Sequence, residues 1–245
     1  MGLNKSNGNM YGFVTHTWNP IGGECYHNCS YCYMKSGRLR SLKKYNGVTH
    51  IYEKELVPLG NDKIIFVGSA TDMFGEWVPS DMIKKVLKHC HEVENYESTY
   101  LFQSKNPERF REFWHYFPPH TILCTTIETN REYDVSHAPT PINRMLNMQY
   151  LDSIRCEVSN IEQMMVTMEP ILDFDPQTML VWINNMGIDQ FNIGADSKNN
   201  GLPEPSPEKV DKFIQMVKDH NYGMKVHIKK NLRRIVQDRD NKNME

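Results

Sequence analysis

The sequence predicts an α/β protein built on a parallel sheet, and two observations carry that prediction. Short β-rich runs alternate with longer amphipathic segments, and polar or charged residues recur at the C-terminal end of each run. Such alternation is the pattern of βαβ units. In parallel α/β barrels the C-terminal ends of the strands form the active-site face.

Seven runs read as strands: Tyr11 to Thr17, Lys63 to Gly68, Ser98 to Gln103, Thr121 to Ile127, Gln163 to Met168, Ile188 to Gly194 and Met224 to Ile228. Between them, Ser80 reads as the N-cap of a helix carrying Ile83, Val86, Leu87 and Cys90 at helical spacing. Ser206 and Pro207 place a cap and a first-turn proline before Val210, Phe213, Ile214 and Val217, and Gly223 closes that helix. Pro107 to Tyr116 reads as a helix with Phe110, Phe113 and Trp114 on one face, and Pro141 to Leu151 as another. Ser136 to Pro141 is a loop, and Ser197 to Pro207 is a connector rich in Asn, Pro and Gly.

At 245 residues the chain suits one sizeable core, so a single domain over residues 1–245 is expected, its core spanning about 11–230 before a short polar tail. With 28 basic and 30 acidic residues the net charge is -2, which does not advertise a nucleic-acid or membrane partner for the surface as a whole. No apolar run approaches the ~20 residues needed to cross a bilayer, and the first residues contain no hydrophobic stretch, so a soluble cytoplasmic protein is expected.

The densest chemical signal is Cys25-Tyr26-His27-Asn28-Cys29-Ser30-Tyr31-Cys32, three thiols in one short polar loop after the first strand. Iron-sulfur clusters usually take four cysteines, so a tight group of three points to a fourth coordination position kept for an outside ligand. His27 keeps structural zinc open as another reading, since such sites commonly use Cys3His. A disulfide framework fits poorly, because six cysteines in 245 residues is sparse and no signal peptide is evident. Cys90, Cys124 and Cys156 are isolated.

Polar residues then mark the strand ends: Gly68-Ser69-Ala70-Thr71-Asp72, Ser104-Lys105, Thr126 with Glu128, Glu169-Pro170, Asn192 with Asp196, and His227 with Lys229. Any one of these has a dull explanation as a turn residue or a structural ion pair. Their recurrence on six strands points to a mouth whose charges need ligands or counter-charges to offset desolvation.

The cysteine spacing, with Tyr31 just before the third thiol, resembles the cluster loop of the radical S-adenosylmethionine enzymes. Thr17-Trp18-Asn19-Pro20, Gly22-Gly23, Phe66 to Asp72, Ser104 to Arg109 and Met168 to Leu172 recur with it in order. Together they are similar to a phage-associated branch of that superfamily related to spore photoproduct lyase. Asp196 stands where a Glu is more common, and the cysteine loop is short for the family.

The resemblance implies a partial parallel (β/α) barrel of six to seven strands, of radical S-adenosylmethionine type. It implies a [4Fe-4S] cluster on Cys25, Cys29 and Cys32, and S-adenosyl-L-methionine cleaved to a 5'-deoxyadenosyl radical that abstracts hydrogen. The cytoplasm of a microbial host, phage-encoded or not, is the setting it implies, with an external electron donor of flavodoxin or ferredoxin type. Gly68, Ser69 and Ala70 would then pair with the cofactor amine, a place where glycine lets the backbone approach closely, and Asp72 would also belong to the cofactor-binding set. Ser104 and Lys105 would meet its carboxylate or ribose; Thr126, Glu128 and Glu169 its ribose or the substrate; and Lys229 a carboxylate or phosphate.

Two basic runs, Lys35, Arg38, Arg40, Lys43 and Lys44, then Lys229, Lys230, Arg233 and Arg234, flank the expected mouth. Such a patch is either the footprint of a phosphate-bearing substrate or an ordinary solvated face. Tyr26, Tyr31, Tyr33, Phe74 and Trp77 offer rings that could stack on an extruded base or simply pack. Three functional readings follow: a lyase or transferase acting by radical chemistry on a nucleic acid or nucleotide, the same chemistry on a small metabolite or peptide, and a zinc-stabilised nucleic-acid-binding module without catalysis. Cys124 shares a strand face with Thr126 and Glu128, either as a hydrogen-atom donor in the barrel or as a small buried hydrophobe.

Overall fold

The computed structural model describes residues 2–6, 11–36, 39, 41–92, 94–220 and 223–236. An eight-stranded sheet organises the chain: β1 (Asn4–Lys5), β2 (His16–Trp18), β5 (Ile64–Val67), β6 (Thr99–Ser104), β7 (Thr121–Thr126), β8 (Ile161–Met168), β9 (Gln190–Ile193) and β10 (Lys225–Ile228), in that spatial order. From β2 to β10 every neighbouring pair is parallel, while β1 adds an antiparallel edge to β2. A separate two-stranded ribbon, β3 (Ile21–Gly22) with β4 (His50–Ile51), lies in the long excursion between β2 and β5.

Helical segments make the crossovers: α1 (Ser80–Cys90) after β5, a 3-10 stretch (Pro107–Tyr116) after β6, α2 (Pro141–Ser153) after β7, α3 (Pro176–Asn185) after β8 and α4 (Pro207–Asp219) after β9. Strands that follow one another in chain and in space, each joined by a crossover, build an open (β/α) barrel. The parallel strands number seven, as the sequence pattern requires.

Period-two alternation divides the strand side chains between two cores. Ile65, Val67, Tyr100, Phe102, Leu123, Met164 and Val166 pack outward under the helices. Phe66, Leu101, Ile122, Cys124 and Met165 point the other way and form an inner layer with Tyr11 and Val14.

Four local expectations need correction. The first strand is shorter than Tyr11 to Thr17: a turn with Val14 N–H donating to Tyr11 C=O at 3.1 Å ends before it, and Tyr11 goes into the barrel as a plug. Ser80 is not the cap of α1; Pro79 holds that position, and the Ser80 hydroxyl instead accepts from Arg109 Nη2 at 3.0 Å. Pro107–Tyr116 winds as 3-10 turns, where residues three apart eclipse and aim Phe110 and Phe113 together at Phe74, with ring centroids 4.8 and 5.9 Å away. The helix α3 was not anticipated, since its apolar run Met179 to Ile183 has no strong one-sided pattern. The Ser206 cap of α4 is present, its hydroxyl accepting from Lys209 N–H at 3.3 Å.

Candidate cofactor site at the strand ends

The turn after β5 is where the backbone first opens a site. Gly68 has φ of 74°, a left-handed conformation that favours glycine, and its N–H donates to Trp18 C=O at 2.8 Å. The next residues are held from β2: Asn19 Oδ1 accepts from Ala70 N–H at 2.9 Å and from the Ser69 hydroxyl at 3.2 Å. The cysteine loop arches over this turn, with the Tyr33 hydroxyl donating to Ser69 C=O.

A cavity of about 260 Å³ lies beneath that arch. Cys25, Cys29 and Cys32 line it together with Gly68, Ser69, Ala70, Asp72, Ser104, Lys105, Thr126 and Glu169. The fold therefore gathers most of the residues singled out from the sequence. Glu128 and Lys229 stand outside its wall, each bonded to groups on the rim. Tyr33, one of the rings singled out from the sequence, lines the cavity too, as do Met34, Gln103 and Lys198, which had no signal beyond their strand-end or loop position.

Asp72 is the hub on one side of the loop. Its Oδ2 lies 2.9 Å from His27 Nε2 and accepts from the Ser104 hydroxyl at 3.0 Å and Lys105 N–H at 2.8 Å, while Oδ1 accepts from Phe74 N–H at 3.0 Å. Burial alone would raise this carboxyl, but the bond and charge of His27 and the further donors hold it below the usual range. Glu128, 2% exposed, is the hub on the other side. It accepts from Tyr31 Oη and Lys105 Nζ on Oε1, and from Arg144 Nη1 at 2.8 Å on Oε2. Burial pushes Glu128 up, yet Arg144 and Lys105 outweigh it and keep the carboxyl ionised far below its ordinary value.

Glu169 closes the far wall. Lys229 Nζ is 2.5 Å from its Oε2 and Asn231 Nδ2 donates to its Oε1 at 2.7 Å. Gly194 makes room for it, because a Cβ there would lie 2.8 Å from the Glu169 carboxyl carbon. Asn231 also donates to Ala195 C=O at 2.8 Å, tying the ends of β8 and β9 together.

The donor set fits a cluster with one open iron. All six cysteines are free, and the three on the loop share one cavity while Cys90 and Cys124 are buried elsewhere and Cys156 is exposed. Burial first, and the Asp72 charge second, push the Cys25 thiol up to about 12, so it is a thiol until a cation takes the proton's place. A single zinc ion needs its ligands converged within about 2.3 Å of one point. Among the described residues no three His, Cys, Asp or Glu side chains form a ready-made site for zinc or for any other metal; a cubane would take its three thiolates on separate irons.

The basic runs are partly neutralised within the chain. Lys44 pairs with Glu55 at 2.9 Å, Lys229 with Glu169, and Arg234 Nη1 donates to Glu204 at 2.7 Å. Lys35 Nζ donates to Asn28 C=O at 2.9 Å, and Arg38 and Arg40 lie outside the described residues. Phe74 is packed in the wall, while Tyr26 is exposed and meets Trp77 edge-on at 5.4 Å. Cys124 points into the barrel beside Tyr11, 3.5 Å from its hydroxyl, and burial raises its thiol to about 12.

An open parallel sheet whose polar strand ends surround one cavity makes this a partial (β/α) barrel, the fold shared with the solved structures it resembles. The chain belongs to the family described as protein of unknown function DUF5131, whose model matches residues 10–142. No curated protein matches it significantly. Among solved structures it is similar to a spore photoproduct lyase variant, at TM-score 0.64 and 10% identity over 93% of this chain and 79% of that one. A spore photoproduct lyase variant with bound AdoMet and dinucleoside spore photoproduct matches at TM-score 0.59 and 10% identity, over 87% and 76%. SuiB of Streptococcus suis matches at TM-score 0.53 and 9% identity over 86% of this chain, which spans 48% of SuiB. At these identities the likeness is one of fold. No helix among the described residues is long and apolar enough to cross a membrane.

Proposed function

We propose that the chain is a radical S-adenosylmethionine enzyme whose Cys25, Cys29 and Cys32 hold a [4Fe-4S] cluster and whose substrate is a nucleic acid or nucleotide. One observation carries the reading: three free thiols and the polar ends of the parallel strands line one cavity. When bound, the cluster supplies the electron that splits S-adenosylmethionine and so generates a hydrogen-abstracting radical. An external donor of flavodoxin or ferredoxin type would deliver that electron.

The chain's own part is to bind and orient. The backbone of Gly68 and Ala70 and the Ser69 side chain would meet the methionyl amine, a reading supported by their position in the cavity wall, with Ser104 and Thr126 in the same wall. Glu169, fixed by Lys229 and Asn231, would meet ribose hydroxyls or the substrate. The inner apolar layer below, Phe66, Leu101 and Met165, keeps water from entering through the floor.

The nucleic-acid reading draws on the exposed Lys43, on the exposed Lys230 next to Lys229, and on the dinucleoside bound in the similar lyase structure. A smaller or uncharged substrate, a metabolite or peptide, is the second reading, favoured by the internal pairing of Lys44, Lys229 and Arg234.

The test is anaerobic reconstitution with iron and sulfide, followed by reductant and S-adenosylmethionine. Bound iron and sulfide with release of 5'-deoxyadenosine is expected, and Cys29→Ala should abolish both. DNA or RNA should raise that release above background more than metabolites or peptides do. Zinc without iron or sulfide in anaerobically purified protein would overturn the reading in favour of a structural metal site.

A further inference from the structure

The loop's eight residues alternate in orientation. Tyr26, Asn28 and Ser30 face solvent, while His27 between the first two cysteines and Tyr31 between the last two turn inward. Each inward side chain ends on a different buried carboxylate: His27 on Asp72, Tyr31 on Glu128.

Both carboxylates are held in place by groups that do not belong to the loop. Asp72 has Phe74 N–H, the Ser104 hydroxyl and Lys105 N–H. Glu128 has Arg144 and Lys105 Nζ. Lys105 spans the two, its backbone on Asp72 and its ammonium on Glu128 and over the Tyr31 ring. With three donors on Asp72 Oδ2, and with Glu128 out of the cavity wall, little acceptor capacity is left for a small molecule.

We propose that Asp72 and Glu128 are positioning residues for the cysteine loop, acting through His27 and Tyr31. This deepens the proposed function, on which it rests for the role of the thiols. Two backbone bonds outside the network, Ser30 N–H to Val135 C=O at 2.8 Å and His137 N–H to His27 C=O at 2.7 Å, set only the loop's outer edge. The inward anchors decide how the thiols face the cavity.

The geometry supplies gentle variants. Tyr31→Phe removes the hydroxyl that donates to Glu128 and accepts from Lys105 Nζ, and leaves Glu128 paired with Arg144 and Lys105. His27→Phe keeps a ring against Trp77, now 4.8 Å from His27, and leaves Asp72 with its other donors. Hydrogen exchange over residues 25–36, read by mass spectrometry on the full-length metal-free protein, is the measurement. Each variant is expected to speed exchange there about tenfold, the worth of one bond to a charged group. Exchange in β6 and β7 should not change. Tyr31→Phe should act mainly on residues 30–35 and His27→Phe mainly on 27–29, and His27→Gln, which restores a donor, should recover part of the protection. After loading with iron and sulfide, both Phe variants should lose iron to a chelator faster than the parent.

Loop exchange within about twofold of the parent in both Phe variants would overturn the proposal, because a lost charge-assisted bond is worth more than that. The exchange arm needs no metal. A chain that never takes up iron but loosens on Tyr31→Phe would sink the proposed function and leave the anchors standing; the reverse pattern would do the opposite.

Discussion

The inner face of the sheet is two surfaces on the same strands. Its deep half, Phe66, Leu101, Ile122, Cys124 and Met165 around Tyr11, is apolar and buried, whereas its rim, a few residues further along the same strands, carries Asp72, Lys105, Glu128 and Glu169. On β6 the change takes four residues, Leu101 to Lys105, roughly 13 Å of strand. The difference teaches why the rim is so fully paired. Charges set over an apolar floor have no water below to screen them, so each carboxylate must find cations and donors beside it.

The largest expected effect comes from stranding the rim's buried cations. Glu128→Ala leaves Arg144 and Lys105 without their shared carboxylate, and loss of one partner of a buried pair typically costs about 3–5 kcal/mol. The sign of its pH dependence follows from the direction of the shift. Glu128 is held below the ordinary value of 4.5, so its contribution is complete above that value and drains away as pH falls beneath it. Urea unfolding of parent and variant should therefore show a gap that is wide at neutral pH and narrows in acid; a gap constant across that range would deny the charge pairing its role.

Leu101→Ala probes the other half. Leu101 is fully buried in the inner layer, and large-to-small changes of this kind cost about 2–5 kcal/mol through lost burial and a cavity. No titratable group is removed, so the loss should be level with pH. Iron and sulfide bound per folded chain should equal the parent's. If the variant folds but binds less iron, deep layer and rim are not separable.

How much of this division was legible in the sequence follows from the range of the contacts. The strands, their parallel order and the polar ends rest on local pattern, and the cysteine spacing on eight consecutive residues, so the fold and most of the cavity wall could be read. The partners that fix the charges could not. Arg144 reaches Glu128 from the first turn of α2, Asn231 reaches Glu169 across 62 residues, and the inward turn of His27 and Tyr31 is a property of a loop without periodicity. Strand-end charge announced that a rim existed, but whether a given charge faces a ligand or a neighbour is a tertiary fact. The helix α3 escaped for another reason: Asp175-Pro176 is a start signal, but the apolar run behind it reads equally as strand.

The smallest effect belongs to the rim's outermost contact. Lys198 follows β9 and reaches across to the cysteine loop, where its ammonium donates to Tyr33 C=O at 3.4 Å and to the Ser36 hydroxyl. It is exposed, so water competes for these bonds and its ordering entropy is unrecovered. Lys198→Ala should cost no more than about 1 kcal/mol by urea unfolding, as exposed charged contacts generally do. A loss as large as that of Leu101→Ala would mean that the bridge is as tightly held as the buried pairs, and the boundary between solvated edge and desolvated rim would have to be drawn further out.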